Sequence, residues 1–445
     1  MLIRFEAANF RSIVEPAELS MVAVDEDRVE ARHSPNLNES LLSVAAIFGP
    51  NASGKSNVLS ALTWLCDAVR VSMRYWDDEI PVEQFVLGAA PVASSEFSVE
   101  LLIDDVRFEY EVELTRQEIV HEGLFHYPEK RRRRIFERDR GEFKIQTGLG
   151  AISGTRSLLT ERTLALSAAR RFPEPLISEF TQKLLRTQTL GAAGRNSWLP
   201  GAPPPAMPWA RPTRRWFIEP SPAQLTLFGL EDESIPSFEE DRAQALALLR
   251  LADLGIVDVL VDEEEVQYRP TSNRFGNQPS FGPDTEPRRS RPRVRLVHRA
   301  AGRSHPLDFT AESEGTRVWY RLVGPVLQTL RSGSLLLFDE LDSSLHPTLT
   351  AELIRLFHDP ATNPRGAQLV FTSHDTTLLN HLNRDEVWFT EKSASGATRL
   401  GALAEFAGER VRKSHNIEDG YLQGRFGALP DTDRTELLRS LGLIG

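Results

Sequence analysis

The chain has 445 residues, a formal net charge of −11, 40% hydrophobic residues and 26% charged residues, an ordinary composition for a globular protein. Its length predicts more than one compact unit. The single cysteine, Cys66, excludes an intrachain disulfide framework, and no apolar run approaches the roughly 18 residues of a membrane-spanning helix. We therefore expect a soluble cytoplasmic protein with no export signal and no membrane segment.

Predicted strands and one helix alternate through the first 150 residues. The residue patterns predict strands over 2–10, 41–48, 95–104, 107–115 and 118–127. The third and fourth of these strands should form a hairpin, with the two aspartates at positions 104 and 105 in its turn. The pattern NVLSALTWLCDAV predicts the helix and places the cysteine in it as a packed core thiol.

The stretch FGPNASGKSN, residues 48–57, lies between a predicted strand and the predicted helix. It contains the pattern G-x-x-x-x-G-K-S. In this context backbone N–H groups cradle phosphates, the lysine reaches the outer phosphates and the serine hydroxyl binds Mg²⁺. The alternative is a glycine-rich turn that carries Lys-Ser by chance. We assign nucleotide binding to Gly49, Pro50, Asn51, Ala52, Ser53, Gly54, Lys55, Ser56 and Asn57.

The middle of the chain changes to helical patterns. Apolar residues recur at helical spacing over 176–190 and over 239–255. Two Pro- and Gly-rich stretches, 191–212 and 269–293, predict loops. The predicted parts are an N-terminal half-domain at 1–150, a mainly helical insert at 151–290 and a C-terminal half-domain at 291–445.

Arginine is concentrated between Gln267 and His305, a segment that contains nine arginines and only two acidic residues, Asp284 and Glu286. A second basic run, KRRRR, occupies 130–134. Clusters of this kind can track the phosphate backbone of DNA or RNA. They fit solvated loops equally well. The nine arginines are Arg269, Arg274, Arg288, Arg289, Arg291, Arg293, Arg295, Arg299 and Arg303.

Ser313, Gly315 and Thr316 stand at the start of a predicted helix that precedes the next strand. The free N–H groups of a helix start, together with the helix dipole, favour an anion. A capping serine is the structural alternative. The position of this triplet, one helix ahead of an acidic strand, favours the anion site.

That acidic strand lies in LLLFDELDSSLHP, residues 335–347, where an apolar run ends in Asp339 and Glu340. Unpaired charge there would cost several kcal/mol. A Mg²⁺ ion would neutralise it, so these carboxylates should complete the nucleotide site. The next predicted strand, 368–372, ends in Ser373 and His374, at the edge where open α/β sheets bind ligands. Further helices are predicted at 348–359 and 431–442.

The order of these motifs resembles the ATP-binding cassette (ABC) ATPases of the SMC and RecF type. The sequences NFRSI, ESEGTR, DELDSSLHP, AQLVFTSHDTTLL, DEVWFTEK and NIEDGYLQGRFGALP resemble more closely the RloA/AbiL-type AAA-family ATPases found beside restriction and phage-defence loci. The resemblance covers about residues 1–65 and 305–430. It implies an α/β, ABC-type (RecA-like) P-loop ATPase core assembled from both chain ends, with ATP and Mg²⁺ as cofactors.

The same resemblance implies catalytic and metal-binding roles for five residues. Lys55 would hold the phosphates, Glu340 would orient the attacking water and His374 would sense the γ-phosphate. Asp339 would help Ser56 to hold Mg²⁺. Phosphoryl transfer needs positioning and charge neutralisation more than covalent catalysis, so this set is sufficient.

Further contacts follow from the resemblance. Arg11 would lie near the nucleotide, Gln84 would be the Q-loop residue that reaches the metal, and Asp342 would belong to the D-loop. Ser313 and Gly315 would belong to the signature that contacts the nucleotide of a partner subunit. The match of SEGT to the family's SGGQ is loose at its second and fourth positions.

The functional hypothesis is a Mg²⁺-dependent ATPase whose dimer sandwiches ATP and gates a partner effector, a nuclease, in defence against phage or foreign DNA. One alternative is an ATP-gated scaffold, and another is a DNA-binding ATPase of the SMC/RecF repair type. A third is a nuclease of the OLD type, although only 71 residues follow His374, too few for the remaining ATPase elements and a Toprim domain.

Overall fold

A computed structural model describes residues 1–87, 94–191, 213–219, 237–252, 255–267, 288–343, 345–406, 417–423 and 439, with the backbone alone at 151, 264–267, 288–291 and 406. The chain divides into two compact units. The first comprises Met1–Pro205 and Gln328–Gly445, and the second comprises Ala206–Leu327. The sequence-based division at 150 and 290 stays a prediction. The range 151–290 contains both helices and strands among its described residues.

The described strands are β1 (Leu2–Ala8), β2 (Ala17–Ser20), β3 (Arg32–Ser34), β4 (Glu39–Leu41), β5 (Val44–Phe48), β6 (Ser95–Ile103), β7 (Val106–Leu114), β8 (Ile119–His126), β9 (Arg133–Asp139), β10 (Glu142–Ile145), β11 (Gln188–Leu190), β12 (Ile256–Gln267), β13 (Arg288–Ala300), β14 (Arg303–Asp308), β15 (Leu335–Phe338), β16 (Gln368–Thr372), β17 (Val387–Lys392) and β18 (Thr398–Ala402). The described α-helices are α1 (Lys55–Tyr75), α2 (Ala165–Ala169), α3 (Pro175–Leu185), α4 (Phe238–Ala252), α5 (Glu314–Ser332), α6 (Pro347–His358), α7 (Leu403–Phe406) and α8 (Ile417–Leu422).

The nucleotide-site motifs of the first unit lie on a six-stranded sheet of order β11-β15-β16-β5-β17-β18. All pairs in it are parallel except β17–β18. Every residue of β5, β15 and β16 is buried, in keeping with sequences that are apolar apart from the two ends of β16. The parallel strands place the C-terminal ends of β5, β15 and β16 at one edge of the sheet. The loop with the G-x-x-x-x-G-K-S pattern, residues 49–56 and here called the P-loop, follows β5, and Asp339 and Ser373 follow β15 and β16.

A seven-stranded antiparallel sheet of order β10-β9-β8-β7-β6-β1-β2 forms the other layer of the unit. The predicted hairpin is confirmed as β6–β7. Its turn residues, Asp104 and Asp105, have φ values of 45° and 63°, and positive φ at both central residues is the requirement of a tight type I′ turn. Helix α1 contributes to the core that both sheets line, and Cys66 is buried there, so burial raises the pKa of its thiol to about 12.

The helix predicted over 176–190 is wrong at its C-terminal end. Helix α3 stops at Leu185, and Gln188–Leu190 form β11, which pairs in parallel with β15. The N–H of Asp339 donates to the carbonyl oxygen of Leu190, 3.0 Å away. A tertiary pairing with a distant strand therefore overrides the local helical pattern.

The second unit contains a three-stranded antiparallel sheet of order β12-β13-β14 and helix α4, which confirms the helix predicted over 239–255 as far as Ala252. The indole of Trp319 donates to the carbonyl of Leu248, 2.7 Å away, and so ties α5 to α4. The loop predicted over 269–293 is wrong at its end, because β13 begins at Arg288. Residues 269–287 of this loop, and residues 192–212 of the loop predicted over 191–212, lie outside the described residues. The helix predicted over 431–442 also lies outside them, except for Arg439.

Several arginines of the arginine-rich segments have acidic neighbours. The guanidinium of Arg293 binds Asp308 at 2.7 and 2.6 Å, and Arg295 pairs with Asp262. In the run at 130–134, Arg132 lies over the ring of Phe125 and bridges two glutamates. Nucleic-acid binding by these segments stays a prediction. Within the described ranges, no helix is both long and apolar enough to cross a membrane.

Candidate nucleotide-binding site

The P-loop turns sharply between β5 and α1. Gly49 and Gly54 have φ values of 148° and 104°, in the region that favours glycine. A Cβ atom at Gly49 would lie 2.5 Å from the carbonyl oxygen of Thr390, and one at Gly54 would lie 2.0 Å from Oγ1 of Thr398. The loop therefore lies against the β17–β18 hairpin so closely that neither glycine can carry a side chain.

Lys55, the first residue of α1, is 6% exposed. Its Nζ donates to the carbonyl oxygens of Gly49 and Pro50, at 2.8 and 3.0 Å, so the ammonium curls over the loop. Burial lowers the pKa of Lys55 to about 8, against the opposing effect of nearby carboxylates, of which that of Asp339 is the largest. The side chain is therefore mainly protonated at pH 7, as a phosphate contact would require, and its role in binding phosphates stays a prediction.

The Asp339 carboxylate joins the two halves of the sequence. Its Oδ1 accepts hydrogen bonds from the hydroxyls of Ser56, at 2.9 Å, and Thr372, at 2.7 Å. The carboxylate is 1% exposed. The sequence prediction that Ser56 and Asp339 lie together, although 283 positions apart, is confirmed by this contact.

The oxygen donors of this pair fit Mg²⁺. A hydroxyl and a carboxylate are hard ligands, and Mg²⁺ in nucleotide sites takes one or two carboxylates with substrate phosphates and water. Among the described residues, no group of three or more His, Cys, Asp or Glu side chains forms a metal cage. The chemistry of the donors therefore matches a metal that arrives with its nucleotide, and the ligand roles of Ser56 and Asp339 stay predictions.

Glu340 has a left-handed backbone, with φ 57°. For a residue with a Cβ this conformation costs about 1–3 kcal/mol and is found mainly at functional sites. Two contacts hold it: its N–H donates to Oγ1 of Thr372 at 2.7 Å, and its carbonyl accepts from the N–H and hydroxyl of Ser343 at 3.1 and 2.9 Å. The residue is half-buried.

Asp342 and His374 meet at the same edge. Both carboxylate oxygens of Asp342 lie 3.2 Å from the N–H of His374. Burial lowers the pKa of His374, and the positive charge of Lys55 lowers it further. The imidazole is therefore mainly neutral at pH 7, and the aspartate holds the backbone at the end of β16 in place.

Arg11 precedes Ser12, whose hydroxyl contacts Asn57, but the side chain of Arg11 itself pairs with an acidic residue. Its guanidinium donates to both carboxylate oxygens of Glu83, at 3.0 and 3.2 Å. Ser12 follows Arg11 in the sequence, and Gln84 follows Glu83. Nε2 of Gln84 is buried and has no hydrogen-bond partner within the described part of the chain. The roles of Arg11 at the nucleotide and Gln84 at the metal stay predictions.

A chain of polar side chains links this segment to the P-loop. The hydroxyl of Ser12 accepts from Nδ2 of Asn57 at 2.6 Å and lies 2.7 Å from Oγ1 of Thr398. Thr398 in turn donates to the carbonyl of Ser53 at 2.8 Å. Ser12, between β1 and β2, and Thr398, in the β17–β18 hairpin, thus hold the P-loop through hydrogen bonds.

Ser313 and Gly315 belong to the second unit, at the exposed start of α5. The hydroxyl of Ser313 accepts from the N–H of Thr316 at 3.1 Å, so it caps the helix in the way that the structural alternative requires. Capping leaves other N–H groups of the first turn available to an anion. Their assignment to nucleotide binding stays a prediction.

Sequence patterns missed the threonines that organise the site. Thr372, Thr390 and Thr398 each contact the P-loop or the acidic strand from more than thirty positions away. The signal for Thr372 was a polar residue at the end of an otherwise apolar strand, directly before Ser373 and His374. Nothing local marked the other two.

Solved structures similar to this chain are heads of SMC proteins. The SMC head domain from Thermotoga maritima is 12% identical, with 90% of this chain and 98% of that chain covered and a TM-score of 0.39. An Smc head bound to the C-winged helix domain of ScpA is 13% identical, with 90% and 97% covered and a TM-score of 0.42. An Smc head from Pyrococcus furiosus, bound to the C-terminal domain of ScpA, is 11% identical, with 91% and 97% covered and a TM-score of 0.40.

No curated protein shows significant sequence similarity to this chain. A family model described as "AAA domain, putative AbiEii toxin, Type IV TA system" matches residues 44–380. The predicted membership of the AAA family is confirmed at this level, whereas the RloA/AbiL subtype stays a prediction. Because the match covers well over half of the chain and includes the P-loop, Asp339 and His374, this protein belongs to that family of AAA domains.

Proposed function

We propose that this protein is a Mg²⁺-dependent ATPase whose ATP-driven dimerisation and hydrolysis gate a partner effector, a nuclease, in defence against phage or foreign DNA in the cytoplasm. The observation that carries the proposal is the meeting of Ser56 and Asp339 beside Lys55, with Glu340 and His374 at the same sheet edge. This is the set of groups that phosphoryl transfer to water needs.

Each residue would have a separate task in the reaction. The P-loop N–H groups and Lys55 bind the phosphates, and Ser56 and Asp339 would hold Mg²⁺. When bound, the metal neutralises charge on the outer phosphates and keeps them in line for displacement. Glu340 accepts a hydrogen bond from the attacking water and orients it, while the neutral ring of His374 contacts the γ-phosphate.

The position of the signature residues supports a dimer. Ser313 and Gly315 lie outside the unit that carries Lys55 and Asp339, at an exposed helix start that can accept an anion. We propose that they complete the nucleotide site of a partner subunit, so that ATP binds the two subunits together. The family's description as a type IV toxin–antitoxin component supports the defence part of the proposal. DNA or RNA is a further proposed ligand, through the arginine-rich segments.

Light scattering on the Glu340→Gln protein tests this function. With ATP and Mg²⁺ its mass should double, because slow hydrolysis keeps the nucleotide in place. The wild-type dimer should form and then decay as ATP is consumed. Ser313→Arg, made in the Glu340→Gln background, should prevent the dimer by placing a bulky side chain at the interface.

The matched control is Ser237→Arg. Ser237 is also an exposed serine at a helix start of the second unit, with the N–H of Glu240 3.3 Å from its hydroxyl, but it lies outside the signature. This variant should dimerise. A mass that stays monomeric with ATP at micromolar concentration would contradict the dimer. A wild-type dimer that forms with ATP and then shows no decay would favour the scaffold.

A further inference from the structure

The buried hydroxyl of Thr372 contacts both acidic residues at the end of β15. The residue is the last of β16 and is fully buried. Its Oγ1 donates to Oδ1 of Asp339 at 2.7 Å and accepts the N–H of Glu340 at 2.7 Å. One side chain thus joins two groups that the proposed reaction uses in different ways.

The chemistry of a hydroxyl suits this double contact. A threonine hydroxyl has one proton to donate and two lone pairs to accept with. Its proton meets the carboxylate and a lone pair meets the N–H, so neither contact displaces the other. Ser56 donates to the same Oδ1 at 2.9 Å, so two hydroxyls on opposite halves of the sequence fix the rotation of the Asp339 carboxylate.

The contact with Glu340 acts on the backbone. The left-handed residue is held from its carbonyl side by Ser343 and from its N–H side by Thr372. Loss of the second contact would leave a partly buried N–H without its partner and would let the peptide relax towards ordinary φ values. The carboxylate of Glu340 would then point elsewhere.

We propose that Thr372 is a positioning residue, which orients the Asp339 carboxylate for Mg²⁺ and fixes the direction of Glu340. The inference rests on the proposed function, because it assumes a metal-bound nucleotide at this edge. A residue that orients a metal ligand from behind typically changes metal affinity or activity by about 10–100-fold when it is replaced. We expect that range here.

The test replaces the hydroxyl without changing the shape. In Thr372→Val the hydroxyl becomes a methyl group, and in Thr372→Ser the hydroxyl stays. Thr181→Val is the matched control, because Thr181 is also buried but its hydroxyl has no hydrogen-bond partner among the described residues. The probe is Mn²⁺, titrated by electron paramagnetic resonance against protein saturated with the β,γ-imido analogue of ATP.

The dissociation constant of Mn²⁺ should rise about 10–100-fold in Thr372→Val and stay near the wild-type value in Thr372→Ser and Thr181→Val. Binding of the analogue without metal should be equal in all four proteins, because the P-loop and Lys55 are intact. If Thr372→Val does not fold, Thr372→Ala replaces it, and the same rise in the dissociation constant of Mn²⁺ is expected. Alanine leaves space beside the carboxylate, where valine would place an apolar group.

Wild-type affinity for Mn²⁺ in the valine or alanine variant would overturn the inference and leave the proposed function standing. A serine variant as weak as the valine variant would also overturn it, because the methyl group and not the hydroxyl would then matter. If the wild-type protein binds the analogue but no metal with it, the proposed function itself fails and the inference with it.

Discussion

Glu340→Gln should lower the rate of phosphate release from ATP by about 10²–10⁴-fold and leave ATP binding unchanged. Glutamine keeps the size and the left-handed backbone position of the residue, but it lacks the negative charge that attracts a proton of the attacking water. In the proposed site, ground-state phosphates would be held by the P-loop and by Lys55, whose Nζ lies over that loop, and the substitution does not touch either. Turnover and binding should therefore separate.

The two quantities need separate measurements, a phosphate-release assay for turnover and calorimetric titration for binding. Glu352→Gln is the control, because Glu352 lies on α6 in a surface pair with Arg355. It should behave as the wild type. Phosphate release by Glu340→Gln at the wild-type rate would show that another group orients the water.

Lys55→Met should abolish most of the affinity for ATP. Hydrogen bonds to charged groups contribute about 1.5–3 kcal/mol, which corresponds to roughly 10–150-fold in the dissociation constant. The Lys55 ammonium is nearly buried and already points over the loop, so it is oriented before the nucleotide arrives. Methionine retains an unbranched stem for packing, so the fold should persist.

Lys183→Met is the matched control for that variant. Lys183 is also partly buried and its Nζ donates to the carbonyl of a glycine, Gly333, at 2.6 Å. Burial lowers its pKa as it lowers that of Lys55. Calorimetry should find wild-type affinity for ATP in this variant. Equal losses in both variants would mean that removing a buried ammonium, and not a phosphate contact, is responsible.

The parts of the site that the sequence predicted share a physical cause. The P-loop and its flanking strand and helix are a local pattern, in which glycine is needed at φ 148° and 104°. The strand that ends in Asp339 and Glu340 was predictable because charge after a buried run needs a partner. That this partner includes Ser56 followed from the P-loop's requirement for a metal ligand.

The unpredicted parts depend on contacts distant in sequence. Residues Gln188–Leu190 continue a helical pattern in sequence, but in the structure they form β11 and pair in parallel with β15. The packing of Gly54 against Thr398, and the contact of Thr372 with Asp339, join segments separated by many elements. Patterns within one segment contain no information about such pairs.

Phosphate release by the wild-type protein, followed with ATP in Mg²⁺ and again after chelation with EDTA, tests the central claim most directly. The account predicts multiple turnovers with Mg²⁺ and none after chelation, with activity restored by added Mg²⁺. No phosphate release from an ATP complex formed with Mg²⁺, or release that continues unchanged in EDTA, would contradict the assignment of Ser56, Asp339 and Glu340 to ATP hydrolysis.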